Sequence, residues 1–61
     1  MIISSSFVYA NPQSDGRTVV KEQHTDDQGN DYFVDYVAEV GTDINAHLAA
    51  SAEALNDSFS Q

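Results

Sequence analysis

His24-Thr25-Asp26-Asp27 is where an imidazole adjoins carboxylates along this chain, the pairing that a general base and its orienting partner require. Proton-transfer chemistry also needs a nucleophile or bound water inside a concavity that excludes bulk solvent, and 61 residues leave little material to build one. His24 therefore reads as a surface histidine flanking a turn. Asp26, Asp27, Asn30 and Asp31 around Gly29 raise a second possibility, a calcium loop. If Gly29 held the sixth place of an EF-hand loop, the first and fifth would fall to His24 and Gln28, which are not the carboxylate or Asn needed there. No helical pattern precedes the loop either. Clustered Asp, Asn and Gly are what a tight turn wants, which leaves at most weak cation binding at residues 26–31. His47, beside Leu48, reads as a flank of an apolar helix stripe. Cysteine is absent, so disulfides and thiolate metal sites are excluded. The residues thus predict no catalytic group, no cofactor site and no metal site.

The elements that would position these groups are short. Residues 2–9 (IISSSFVY) are β-branched and aromatic around a serine trio and predict a strand or extended arm. Asn11–Gly16 gathers turn residues, so residues 1–14 read as arm and loop. Residues 17–25 alternate as a strand with Thr18, Val20, Glu22 and His24 on one side; neither side is strongly apolar, which predicts a partly exposed strand. Residues 31–39 form the strongest strand pattern, with Tyr32, Val34, Tyr36 and Ala38 on one face and Phe33, Asp35, Val37 and Glu39 on the other. Gly29 can supply a left-handed residue in the five-residue connection, so residues 15–40 read as a β-hairpin. Gly41 breaks the strand, Thr42 is a candidate N-cap, and Asp43 adds negative charge at the helix start. Residues 42–59 then read as a helix with Ile44, Leu48, Leu55 and Phe59 on one stripe around Ser51 and Ala52. The expected class is α+β: one small domain with an antiparallel hairpin and a C-terminal α-helix. The arm either supplies a third strand or adds to a neighbour's sheet.

Composition bounds the partners. Ten acidic residues against Lys21 and Arg17 give a net charge of −8, too few cations to neutralise a nucleic-acid backbone or adhere to an anionic membrane. No apolar run approaches the roughly 20 residues of a membrane span. The start, Met1–Ser6, lacks a basic region followed by a sustained apolar one, and so reads as the mature terminus of a chain made in a cytoplasm. A core this small supplies no more than roughly 3–5 kcal/mol, and without disulfide or metal the remaining stabilisers are self-association or docking. Docking would use the arm (Ile2, Ile3, Phe7, Val8, Tyr9), the second hairpin face (Phe33, Val37) and the helix stripe (Leu48, Leu55, Phe59).

Asp15-Gly16-Arg17, Val19-Val20-Lys21-Glu22, His24-Thr25-Asp26, Gly29, Val34-Asp35-Tyr36-Val37-Ala38 and the alanine-rich helix together resemble short proteins encoded among tail-module genes of tailed bacteriophages. The resemblance covers residues 15–55. It implies a non-catalytic minor structural protein of the virion, made in the host bacterial cytoplasm. Such a protein would be held in several copies by larger tail or baseplate subunits, by copies of itself, or both. A capsid decoration or cement protein is a close variant. From the charge alone, a different class of function is an acidic mimic of nucleic acid that blocks a basic enzyme site.

Overall fold

Three segments rich in β-branched and aromatic residues form one antiparallel meander, and the alanine-rich tail forms a helix that packs on one of its faces. The computed structural model describes residues 1–60. In chain order these elements are β1 (Ile2–Pro12), β2 (Thr18–Asp26), β3 (Asp31–Ala38) and α1 (Ile44–Phe59), with the strands ordered β1-β2-β3. The fold is the expected α+β arrangement.

The N-terminal arm pairs within its own chain: β1 lies against β2, with Ser5 opposite His24 and Phe7 opposite Glu22. It also runs on to Pro12, beyond the strand expected at residues 2–9, since proline is tolerated at the end of an edge strand. Register shifts between Ile2 and Ser4 and between Phe7 and Tyr9 leave Ile3 and Val8 as extra, bulged residues. The second bulge turns Tyr9, paired with Lys21, onto the face opposite Phe7.

Both turns are closed by aspartates. In the first, Gln13 and Gly16 donate N–H bonds to the Arg17 and Gln13 carbonyls (2.7 and 3.1 Å), and the Asp15 carboxylate accepts from the Arg17 N–H and Nε. Gly16 has φ +89°, a conformation that favours glycine, and a Cβ there would lie 3.0 Å from Cγ2 of the exposed Val40, which would have to shift slightly. In the second turn, Gly29 takes φ +83°, the left-handed conformation expected of it. The helix starts one residue later than expected. Asp43, not Thr42, is the N-cap, its Oδ1 accepting the Ala46 N–H at 3.1 Å, while Thr42 donates back to the Glu39 carbonyl.

The partly exposed strand that alternation predicts for β2 is not what forms. It is the central strand, and Val20, Glu22, His24 and Asp26 on its helix-facing side are all buried. Only Val20 and Ala38 are buried apolar residues among those described; the rest of the sealed interior is polar. Polar side chains at alternate positions imitate a solvated face in sequence. Here they are removed from water because they satisfy one another.

Candidate docking interface

Beneath α1 the polar residues form one connected cluster. Ser5 Oγ is 2.7 Å from His24 Nδ1, and His24 Nε2 is 3.0 Å from Glu22 Oε1. The second carboxylate oxygen, Oε2, is 2.9 Å from His47 Nδ1, which Ser51 Oγ approaches at 3.2 Å. The Tyr36 ring stacks on the His47 ring with centroids 3.9 Å apart. An ionised carboxylate only accepts, so both imidazoles donate to Glu22, and the second ring nitrogen of His24 shares a hydrogen bond with the Ser5 hydroxyl. Burial alone would push the Glu22 carboxyl up, but hydrogen bonds from His47, His24 and Ser51 outweigh it and hold the group below its ordinary value. Burial above all, then the nearby Glu22 carboxylate through its charge and a weak contact, raises the Tyr36 phenol, whose sealed hydroxyl makes no well-formed hydrogen bond.

A hydroxyl, an imidazole and a carboxylate in a row have the connectivity of an acyl-transfer relay. Glu22 and His24, however, have no exposed surface, and α1 occupies the space that a substrate would need. The cluster instead ties the helix to the sheet across all three strands. His24 is thus not the surface histidine expected from its turn-flanking position, and His47 is a hydrogen-bonding member of the interior, not merely a flank. The signal that could have exposed this lay in the strand alternation: His24, Glu22 and Val20 share a side, and His47 and Ser51 lie on the less exposed side of α1.

Asp26 is consumed by its own turn. Its carboxylate accepts from the backbone of Gln28 (2.9 Å) and Asn30 (2.8 Å), the Asn30 amide (3.2 Å) and the Tyr32 hydroxyl (2.9 Å). Burial acts to raise this carboxyl, yet those donors hold it at about 2 instead of 3.8. The hydrogen bond to Asp26 in turn raises the Tyr32 phenol. A carboxylate with this many internal donors is directed at closing the turn.

The expected docking residues fall into three groups. Ile2, Phe7, Leu48 and Leu55 are half-buried and serve the protein's own interior, Ile2 also donating its N–H to Asn56 Oδ1 on α1 at 2.7 Å. Phe59 is partly exposed, but its ring lies 5.4 Å from that of Tyr32. Ile3 and Val8 are exposed bulge residues on the β1 edge. Tyr9, Phe33 and Val37, exposed by 39%, 53% and 51%, share the sheet face that α1 leaves open. With Val19, Lys21 and Asp35, Tyr9 and Val37 line a shallow, open depression of about 410 Å³ on that face. The Lys21 ammonium sits 5.2 Å from the Phe33 ring centroid, adding a cation–π contact on top of the apolar surface. A flat, partly aromatic surface of this kind suits another protein better than a small molecule, which a deeper concavity would enclose. Comparison with family models, with curated proteins and with solved structures gives no match to this chain.

Proposed function

We propose that this protein is a non-catalytic docking module whose open sheet face is completed by a larger protein subunit. The observation that carries the reading is the uncovered row Tyr9, Phe33 and Val37 on a chain whose described residues include only two buried apolar ones, Val20 and Ala38. Burial of that row against a partner contributes about 25 cal/mol per Å² of apolar surface. It adds to a fold that, at this size, has little stability of its own to spare. The resemblance over residues 15–55 supplies the assembly: a minor structural component of a tailed-phage virion, in the tail or baseplate, seated among larger subunits. A capsid decoration role uses the same surface in another position of the particle.

The charge argues less well for a nucleic-acid mimic. Glu22 and Asp26 are buried, Asp15 and Asp27 pair with Arg17 and the N-terminus, and Asp43 caps the helix. Those acids are not available to imitate a row of phosphates.

The test is incorporation. Mass spectrometry of purified phage particles should find the chain at a fixed stoichiometry. A Phe33→Ser/Val37→Ser variant should fold but be lost from the particles. Absence of the wild-type chain from particles overturns the virion assignment, and normal incorporation of the variant overturns docking through this face.

A further inference from the structure

A meander of three strands has two edges, and only one of them is regular. The β1 edge is broken by the bulges at Ile3 and Val8 and ends in Pro12, features that disfavour pairing with a further strand. Its start is also held by Asn56 of α1. The other edge, β3, runs eight residues in unbroken register with β2, contains neither Pro nor Gly, and has a strand on one side only. Half of its backbone N–H and C=O groups therefore point away from the sheet.

The side chains along that edge have a pattern of their own. On the open face Asp31, Phe33, Asp35 and Val37 alternate acid with apolar, and Glu39 continues the series past the strand. Asp31 accepts the Thr25 hydroxyl at 2.7 Å. Lys21 lies opposite Asp35 in the register, but its ammonium is over Phe33, and among the described residues neither Asp31, Asp35 nor Glu39 forms an ion pair. Successive acids are four residues apart, about 13 Å along an extended strand. A second copy is a poor occupant of this edge. Each copy carries −8, and antiparallel pairing that sets Phe33 beside Val37 sets Asp35 against Asp35.

We infer that the free edge of β3 is a strand-addition site for an extended cationic segment of another protein. Its lysines or arginines face Asp31, Asp35 and Glu39, and its apolar residues lie beside Phe33 and Val37. Main-chain hydrogen bonds supply the attachment, and the alternation of charge and apolar surface selects the sequence. The same carboxylates that reject a second copy accept the cationic strand. This inference rests on the docking reading and names the chemistry of the partner.

The probe is a capped nonapeptide, Lys-Thr-Val-Thr-Lys-Thr-Val-Thr-Lys, titrated into the isotope-labelled full chain and followed by amide chemical shifts. Saturable changes centred on residues 31–38 are expected. Asp35→Lys should weaken binding about tenfold, because a favourable cross-strand pair becomes an unfavourable one. That variant should in turn prefer the peptide whose central lysine is glutamate. A peptide with proline at its centre should lose binding altogether. Equal binding of the proline peptide, changes centred on β1 or α1, or no binding at millimolar peptide overturns strand addition. If strand addition fails while the Phe33→Ser/Val37→Ser variant is still lost from particles, the docking reading survives. If the peptide binds but the wild-type chain is absent from particles, the virion assignment alone falls.

Discussion

Replacing Glu22 with glutamine tests whether the interior of this protein is held by its carboxylate. The side chain is fully buried, and its two oxygens take one imidazole N–H each, at 3.0 Å from His24 and 2.9 Å from His47. Glutamine keeps the size but offers one acceptor and one amide donor. One imidazole keeps a partner, while the other meets a donor or must change tautomer. His47 is 40% exposed and can turn to water, whereas His24 is sealed. The loss is therefore closer to one charge-assisted hydrogen bond, about 1.5–3 kcal/mol, than to the roughly 3–5 kcal/mol of a wholly stranded buried charge. Stability of about 0.05–0.15 kcal/mol per residue gives a 61-residue chain on the order of 3–9 kcal/mol in total, so Glu22→Gln should remove a large share. Each kcal/mol moves the midpoint of a domain this size by roughly 4–8 °C, so thermal melts at pH 7 followed by circular dichroism should show a fall on the order of 10–20 °C. The companion variant Glu22→Leu/His24→Val/His47→Leu removes the carboxylate and both imidazoles together, leaving the half-buried Ser5 and Ser51 hydroxyls as the remaining polar groups of the cluster. It should recover much of that loss, since well-packed apolar replacements of buried ionic groups are often neutral or stabilising. A Glu22→Gln protein melting at or above wild type would refute a carboxylate-centred interior. So would a triple variant less stable than the single one.

Three carboxyls are held below their ordinary values, but the Asp15–Arg17 pair is half-exposed and screened by solvent, so acid should unfold the protein chiefly through the two buried ones. Glu22 and Asp26 both have folded values below their ordinary 4.5 and 3.8, so each contributes stability that is present above its ordinary value and lost as pH falls through its lowered one. The melting midpoint should drop from near pH 4.5 downward, with the Asp26 part continuing to about 2, and Asp26→Asn should flatten the lower end of the profile. The Tyr32 and Tyr36 phenols are raised above 10, so their contributions are intact below 10 and fade as pH rises beyond it; a melt series through the alkaline range should fall there, and less steeply in Tyr36→Phe. At pH 7, Tyr36→Phe removes a sealed hydroxyl that makes no well-formed hydrogen bond and should leave the midpoint unchanged or higher; a loss above about 1 kcal/mol would mean that its contact with Glu22 is a satisfied hydrogen bond.

The class of fold could be read from the residues because its signals are local. Gly29 in its left-handed turn, the alternation of Asp31–Ala38 and the alanine-rich helical tail each depend on neighbours a few positions away. The candidate surface was legible in part for the same reason: Phe33 and Val37 had to leave the face carrying Tyr32 and Tyr36. What stayed hidden depended on pairings between distant residues. Tyr9 joins Phe33 and Val37 only because a bulge at Val8 adds one residue to β1, and nothing in the arm's own sequence marks that insertion. The buried cluster is the stronger case. A Glu two residues from a His on a strand reads as a pair of partly solvated groups, and a His far off on a helix as the flank of an apolar stripe, until the helix brings His47 to Glu22.

Those two hidden features bear on each other. A helix-facing side built around a carboxylate fixes the angle and position of α1 through directional bonds, where a purely apolar interface of this size would let it slide. Phe7, Val20, Tyr32 and Tyr36 share that side with the carboxylate, while Tyr9, Phe33 and Val37 lie on the open face. If the interior has this purpose, the Glu22→Leu/His24→Val/His47→Leu protein should be stable and yet dock poorly. Its helix would no longer be pinned, so the sheet beneath it would present β3 and the open face in more than one geometry. Amide exchange of α1 together with incorporation into particles measures both parts. Fast exchange with normal incorporation would separate the buried cluster from the docking surface.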